Sequence, residues 1–69
     1  MEITFTKHAL FRMKKRKITK EEVSEAIKYP EKTLKKQGKF YISKNIERAN
    51  IEAVYEKDKY IKVITFYYI

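Results

Sequence analysis

The sequence predicts an α+β domain in which two short helices pack on a mostly antiparallel sheet of four to five strands, ordered β-α-α-β-β-β-β. Three observations carry this. Helical periodicity fills the first third of the chain and is interrupted by one capping signal, Thr19-Lys20-Glu21-Glu22. Tyr29-Pro30 then ends the helical pattern, because the residue before a proline avoids the helical region. Beyond it, β-branched and aromatic runs recur around the only glycine, Gly38, and around Lys57-Asp58-Lys59.

Each element has its own signal. Glu2-Ile3-Thr4-Phe5 alternates polar and apolar and reads as a short strand. Thr6 is an N-cap opening a first helix to Arg16 or Lys17, with basic residues crowding its last turn. Ala9, Leu10 and Met13 form its expected core stripe, and Phe11 points away from them. Thr19 and Glu22 have capping-box spacing, and Ile18 stands where it can staple onto Val23. The second helix is expected over residues 20–28, with Val23, Ala26 and Ile27 inward. Thr33 to Lys36 is a weak strand, Gln37-Gly38 a turn, and Lys39 to Ser43 a better strand. Lys44 to Ala49 reads as a loop. Residues 50–56 and 60–68 make the strongest pair, and a three-residue loop places Ile51, Ala53, Tyr55, Ile61, Val63 and Thr65 on one face. The apolar last strand is expected in the sheet interior, covered by helices.

The chain has 69 residues, read as one domain over 1–69, since there is no room for a second core. The absence of cysteine removes disulfides, and one histidine without thiols argues against a metal site; no cofactor is expected. Seventeen Lys and Arg oppose nine Asp and Glu, a net charge of +8, which favours a polyanionic partner such as RNA, DNA or an acidic protein. No run approaches a membrane span, and Met1 to Phe5 lacks a signal peptide's charged and apolar regions. A cytoplasmic location is the expectation.

The only histidine, His8, stands four residues before Arg12 and eight before Arg16. On a helix these three stack along one ridge that drifts by about 40° per step. A proton-transfer group beside two permanent cations suits a phosphate-bearing ligand. The commoner reading of such a helix face is a solvated basic surface.

Thr6-Lys7-His8-Ala9-x-x-Arg12-Met13-x-x-Arg16-x-Ile18-Thr19-x-x-Glu22-Val23, closed by Pro30, resembles the opening of a small His-Ala-x-x-Arg domain family of unknown function. Val54-Tyr55 and Val63-Ile64-Thr65 resemble its closing hairpin, so the likeness spans nearly the whole chain. That family is grouped with RelE/ParE-like toxins, which include BrnT-like ones. The resemblance implies a RelE/ParE-like fold, a toxin of a toxin-antitoxin pair acting as an mRNA endoribonuclease, ribosome-dependent or free, and a cognate antitoxin as partner. ParE-like members act on gyrase instead. Residues 43–50 depart from the family's Gly- and Arg-rich strand, with Arg48 the only arginine there.

Metal-free RNA cleavage needs a base for the 2′-hydroxyl, an acid for the leaving 5′-oxygen, and cations for the developing charge. His8 is the candidate acid or base, with Arg12 and Arg16 as the phosphate clamp. Tyr67 is the candidate for stacking or proton donation, as the resembling toxins often place a tyrosine near the C-terminus; Tyr68 is its neighbour on the opposite strand face. Thr65 is a candidate to fix the His8 tautomer. Lys15, Lys39, Tyr41, Arg48 and Lys62 are the candidate nucleic-acid contacts. Each has a structural alternative: His8 as a first-turn cap, Arg12 and Arg16 paired with Glu52 or Glu56, one of the two tyrosines as core. Two other functions stay open, a non-catalytic nucleic-acid-binding module and a protein-interaction module of toxin-like fold.

Overall fold

Local capping decides where both helices begin. In the computed structural model, which describes residues 2–47 and 49–68, Thr6 caps α1 (Lys7–Arg16) by accepting from the Ala9 N–H at 3.1 Å. The same hydroxyl donates to the Ile64 carbonyl at 2.7 Å, so one side chain starts the helix and ties it to the sheet. Thr19 caps α2 (Lys20–Lys28) with the full reciprocal box: its hydroxyl accepts from the Glu22 N–H, and the Glu22 carboxylate accepts from the Thr19 N–H. Between the helices Lys17 takes a left-handed conformation, and the Ile18 N–H reaches back to the Met13 carbonyl. That is a Schellman-type stop, with Met13 and Ile18 both buried beside it.

The strands are β1 (Ile3–Phe5), β2 (Lys32–Lys36), β3 (Lys39–Asn45), β4 (Asn50–Lys57) and β5 (Ile61–Tyr68). They form one sheet in the order β1-β5-β4-β3-β2, with β1 parallel to β5 and the other pairs antiparallel. The expected element order and the interior position of the last strand are both found. The β2–β3 turn is Gln37-Gly38, and both residues have positive φ, as a two-residue type I′ hairpin requires.

Both helices cover one face of the sheet. α1 packs over β5 and β1, and α2 over β3 and β4. Under them lies the core: Ala9, Met13, Ile18, Val23, Ala26 and Ile27 from the helical side against Ile42, Ile51, Ala53, Tyr55, Ile61, Val63 and Phe66. Phe40 and Tyr55, directly paired across β3 and β4, stack at 5.0 Å between centroids. Edge strand β2 lies outside this cover, and all five of its residues are exposed.

Three expectations need correction. Leu10 is 43% exposed and does not join the Ala9/Met13 stripe, which is narrower than expected. β3 continues through Asn45, because Ser43, Lys44 and Asn45 pair with Glu52, Ile51 and Asn50. Thr65 leaves the inward face, because the β4–β5 register shifts by one residue at Val54/Tyr55. Tyr55 pairs with Val63 and Val54 with Thr65, leaving Ile64 as the extra residue of a β-bulge. Phe66 and Tyr68 thereby fall on the helix-covered side, and Thr65 and Tyr67 on the open one. Val54, buried yet outside the main core cluster, marks that open side.

Candidate nucleic-acid interface

The candidate residues fall into two groups, separated by the thickness of the sheet. His8, Arg12, Arg16 and Lys15 are on α1. Tyr67, Tyr41, Lys39 and Lys62 are on the open face of β5 and β3, directed away from both helices. Arg48 lies outside the described residues.

On α1 the ridge is present as spacing predicts. Ala9 and Met13 are buried, so Arg12, 60–100° around the axis from them, is half-buried at the rim of the helix–sheet contact. His8 and Arg16 are exposed. The cap at this terminus is Thr6 and not His8. Arg16 is held by Tyr68, whose ring lies 5.3 Å from the guanidinium carbon and whose hydroxyl donates to the Arg16 carbonyl at 3.1 Å. Among the described residues no carboxylate pairs with Arg12 or Arg16. Glu52 and Glu56, the alternative partners, sit on the other side of the sheet.

Charge concentrates here. From Ile3 to Lys20 the chain carries Lys7, Arg12, Lys14, Lys15, Arg16, Lys17 and Lys20 and no acidic residue. The helix dipole offsets little of this, since its negative end is one turn of carbonyls. A polyanion approaching this surface meets cations on every turn of α1.

The open face is more balanced. Lys39 and Lys62 both stand opposite Glu56, in a Lys–Glu–Lys row across three strands. Two rows further, beyond Tyr41, Val54 and Thr65, Ser43, Glu52 and Tyr67 form a parallel row. The Tyr67 hydroxyl donates to the Glu52 carboxylate, and this bond, with the nearby negative charge, holds the Tyr67 pKa above its ordinary value. A shallow groove of about 490 Å³ runs beside this row, lined by Lys32, Thr33, Leu34, Tyr41, Ser43 and Glu52. Two carboxylates, Glu52 and Glu56, stand among the lysines of the open face, whereas α1 carries none, which makes the open face a weaker phosphate surface than α1.

The structure therefore does not bring Tyr67 to His8; Tyr68 is the tyrosine that meets the ridge. Nor does Thr65 reach His8, since the bulge turns it to the open face. Sequence reasoning noted both tyrosines but had no signal for the bulge that chooses between them. Among the described residues no three His, Cys, Asp or Glu side chains gather as a metal site would need. No helix among them is long and apolar enough to cross a membrane.

Fold and site together define a small α+β domain with a cationic, acid-free helix on one face and an open mixed sheet on the other. The chain belongs to the DUF4258 family, a domain of unknown function, which it matches over residues 5–68. No curated protein and no solved structure matches it.

Proposed function

We propose that this domain binds RNA, with α1 as the surface that meets the phosphate backbone. The observation that carries the reading is the run from Ile3 to Lys20, with seven cationic side chains and no carboxylate, folded so that Arg12 and Arg16 share one ridge with no carboxylate of the described residues paired to either. Guanidinium groups bind phosphate oxygens in bidentate fashion, and Tyr68 preorients that of Arg16. The test is fluorescence anisotropy with a labelled single-stranded RNA. Arg12→Ala/Arg16→Ala should weaken binding much more than Lys35→Ala/Lys36→Ala on β2, which removes the same charge. Equal losses would mean a diffuse field and no ridge.

A second reading is favoured by His8 standing one turn from Arg12 on the same ridge. It makes the protein a RelE-like toxin that cleaves mRNA, on the ribosome or free, and is neutralised by a cognate antitoxin. His8 would take the proton of the 2′-hydroxyl, whose oxygen attacks the adjacent phosphorus. The 5′-oxygen leaves with a proton from water, giving a 2′,3′-cyclic phosphate while Arg12 and Arg16 hold the equatorial oxygens. Tyr67 has no part in this, because it faces away. Growth arrest and mRNA shortening on expression of wild type, lost in His8→Ala at unchanged RNA affinity, would support the toxin reading. Cleavage surviving in His8→Ala would end it.

A further inference from the structure

We propose that Phe11 is a base-stacking residue and that the RNA strand on α1 is single-stranded, an inference that rests on the RNA-binding reading above. Phe11 is 63% exposed and lies about 180° around the helix from the buried Ala9/Met13 stripe, so packing gives it no role in the fold. Its four helical neighbours, three and four residues away, are Lys7, His8, Lys14 and Lys15. The Lys15 ammonium already sits 5.8 Å from the ring centroid. An aromatic ring framed by three lysines and a histidine matches a ligand with one flat apolar part and anionic groups around it. A nucleotide is that ligand.

The chemistry of the surroundings selects this occupant. A partner helix needs an apolar stripe of several residues, and every position that would extend one from Phe11 is cationic or polar. One ring with a cationic frame accommodates one base and the phosphates on either side of it. The His8, Arg12, Arg16 ridge runs beside Phe11 and advances about 6 Å per step along the axis. Successive phosphates of an extended strand can follow it while a base swings onto the ring. A duplex keeps its bases stacked inside and cannot do this. Phe11 thus converts charge attraction into a preference for unpaired RNA.

The chain contains no tryptophan, so Phe11→Trp supplies a single indole at the proposed contact, excited at the red edge where the six tyrosines do not absorb. Its emission should be quenched on adding a single-stranded oligonucleotide and unchanged on adding a duplex of equal length. In anisotropy, Phe11→Ala should lose about 10-fold in affinity for the single strand, the usual scale of one base–aromatic stack, and little for the duplex. Phe11→Tyr should retain wild-type binding. If wild type binds neither RNA, the RNA-binding reading fails and this inference falls with it. If wild type binds RNA while Phe11→Ala binds as well and Phe11→Trp shows no quenching, the inference alone is overturned. Strong binding of an acidic helical peptide, abolished by Phe11→Ala, with no RNA quenching would assign the surface to a protein.

Discussion

Neutralising the ridge should change how RNA binding responds to salt, and by a calculable amount. Each phosphate neutralised on a single strand contributes about −0.7 to the slope of log K against log salt. If Arg12, Arg16 and Lys15 each meet one phosphate, the wild-type slope is about −2, and Arg12→Gln/Arg16→Gln leaves about −0.7. Between roughly 50 and 200 mM salt, wild type then loses about 18-fold in affinity and the variant only about 3-fold. Arg12→Lys/Arg16→Lys should keep the wild-type slope while weakening binding, because charge survives and the bidentate fork does not. Anisotropy titrations at five salt concentrations read the slopes, and thermal melts confirm that loosening Arg16 from Tyr68 leaves the fold intact. A double-glutamine slope indistinguishable from wild type would refute the reasoning. So would an equal drop from Lys35→Gln/Lys36→Gln, since those lysines sit on the far edge strand.

Perturbations at three further features test the fold. Thr19→Ala removes the acceptor for the Glu22 N–H and should cost about 1 kcal/mol. In a domain of this size that lowers Tm by about 4–8 °C in a circular-dichroism melt, and an unchanged Tm would show the box to be energetically idle. Gln37 holds φ 52° in the β2–β3 turn, so Gln37→Asn should stabilise by roughly 0.5–1 kcal/mol through relief of left-handed strain. Gly38→Ala should destabilise by about 1 kcal/mol through strain alone, since an added Cβ would meet nothing within 4 Å; denaturant midpoints decide both. The third concerns alkaline pH. Tyr67 has its pKa raised above 10.0 by the Glu52 bond, and burial raises that of Tyr55. A raised folded-state pKa favours the protonated form, so the stabilisation is complete below pH 10 and is lost as pH climbs through the folded value. Tm should therefore fall above about pH 10 in wild type and less steeply in Tyr67→Phe. Parallel curves would disconnect the Glu52–Tyr67 pair from stability.

What could be read from the sequence is what is decided over four or five residues. The Thr6 and Thr19 caps, the stop before Pro30 and the Gln37-Gly38 turn each rest on one local interaction, and all occur as expected. The His8, Arg12, Arg16 ridge is of the same kind, since helical spacing alone sets it. Leu10 was misplaced because α1 covers mainly β5 and β1, and a helix over so little sheet buries a narrow stripe. That geometry comes from the short β1, which pairs only three residues of β5, and no periodicity within α1 reports it. Phe11, left without a partner by its position on the wheel, was legible as a question whose answer needed the whole fold.

The tyrosine exchange shows where alternation fails as a guide. Up to Val63 the β5 residues obey a strict inward–outward pattern, and Ile64 then enters as one unpaired residue. Nothing in Val63-Ile64-Thr65-Phe66 announces it, because every residue there favours a strand. The energetics nonetheless favour it. Without the bulge, Thr65 and Tyr67 would face the core and Phe66 would stand on the open side. With it, Phe66 is fully buried under the helices. Burying a phenylalanine is worth about 1.5–3 kcal/mol. One interrupted ladder hydrogen bond costs a net ~0.5–1.5 kcal/mol. The core therefore decides the register, and the surroundings of the proposed RNA-binding ridge follow from it. Tyr68 arrives beneath Arg16 and steadies a cation on the ridge. Tyr67 is committed to Glu52 on the opposite face. A choice made to bury one aromatic ring thus decides which tyrosine can serve the basic helix.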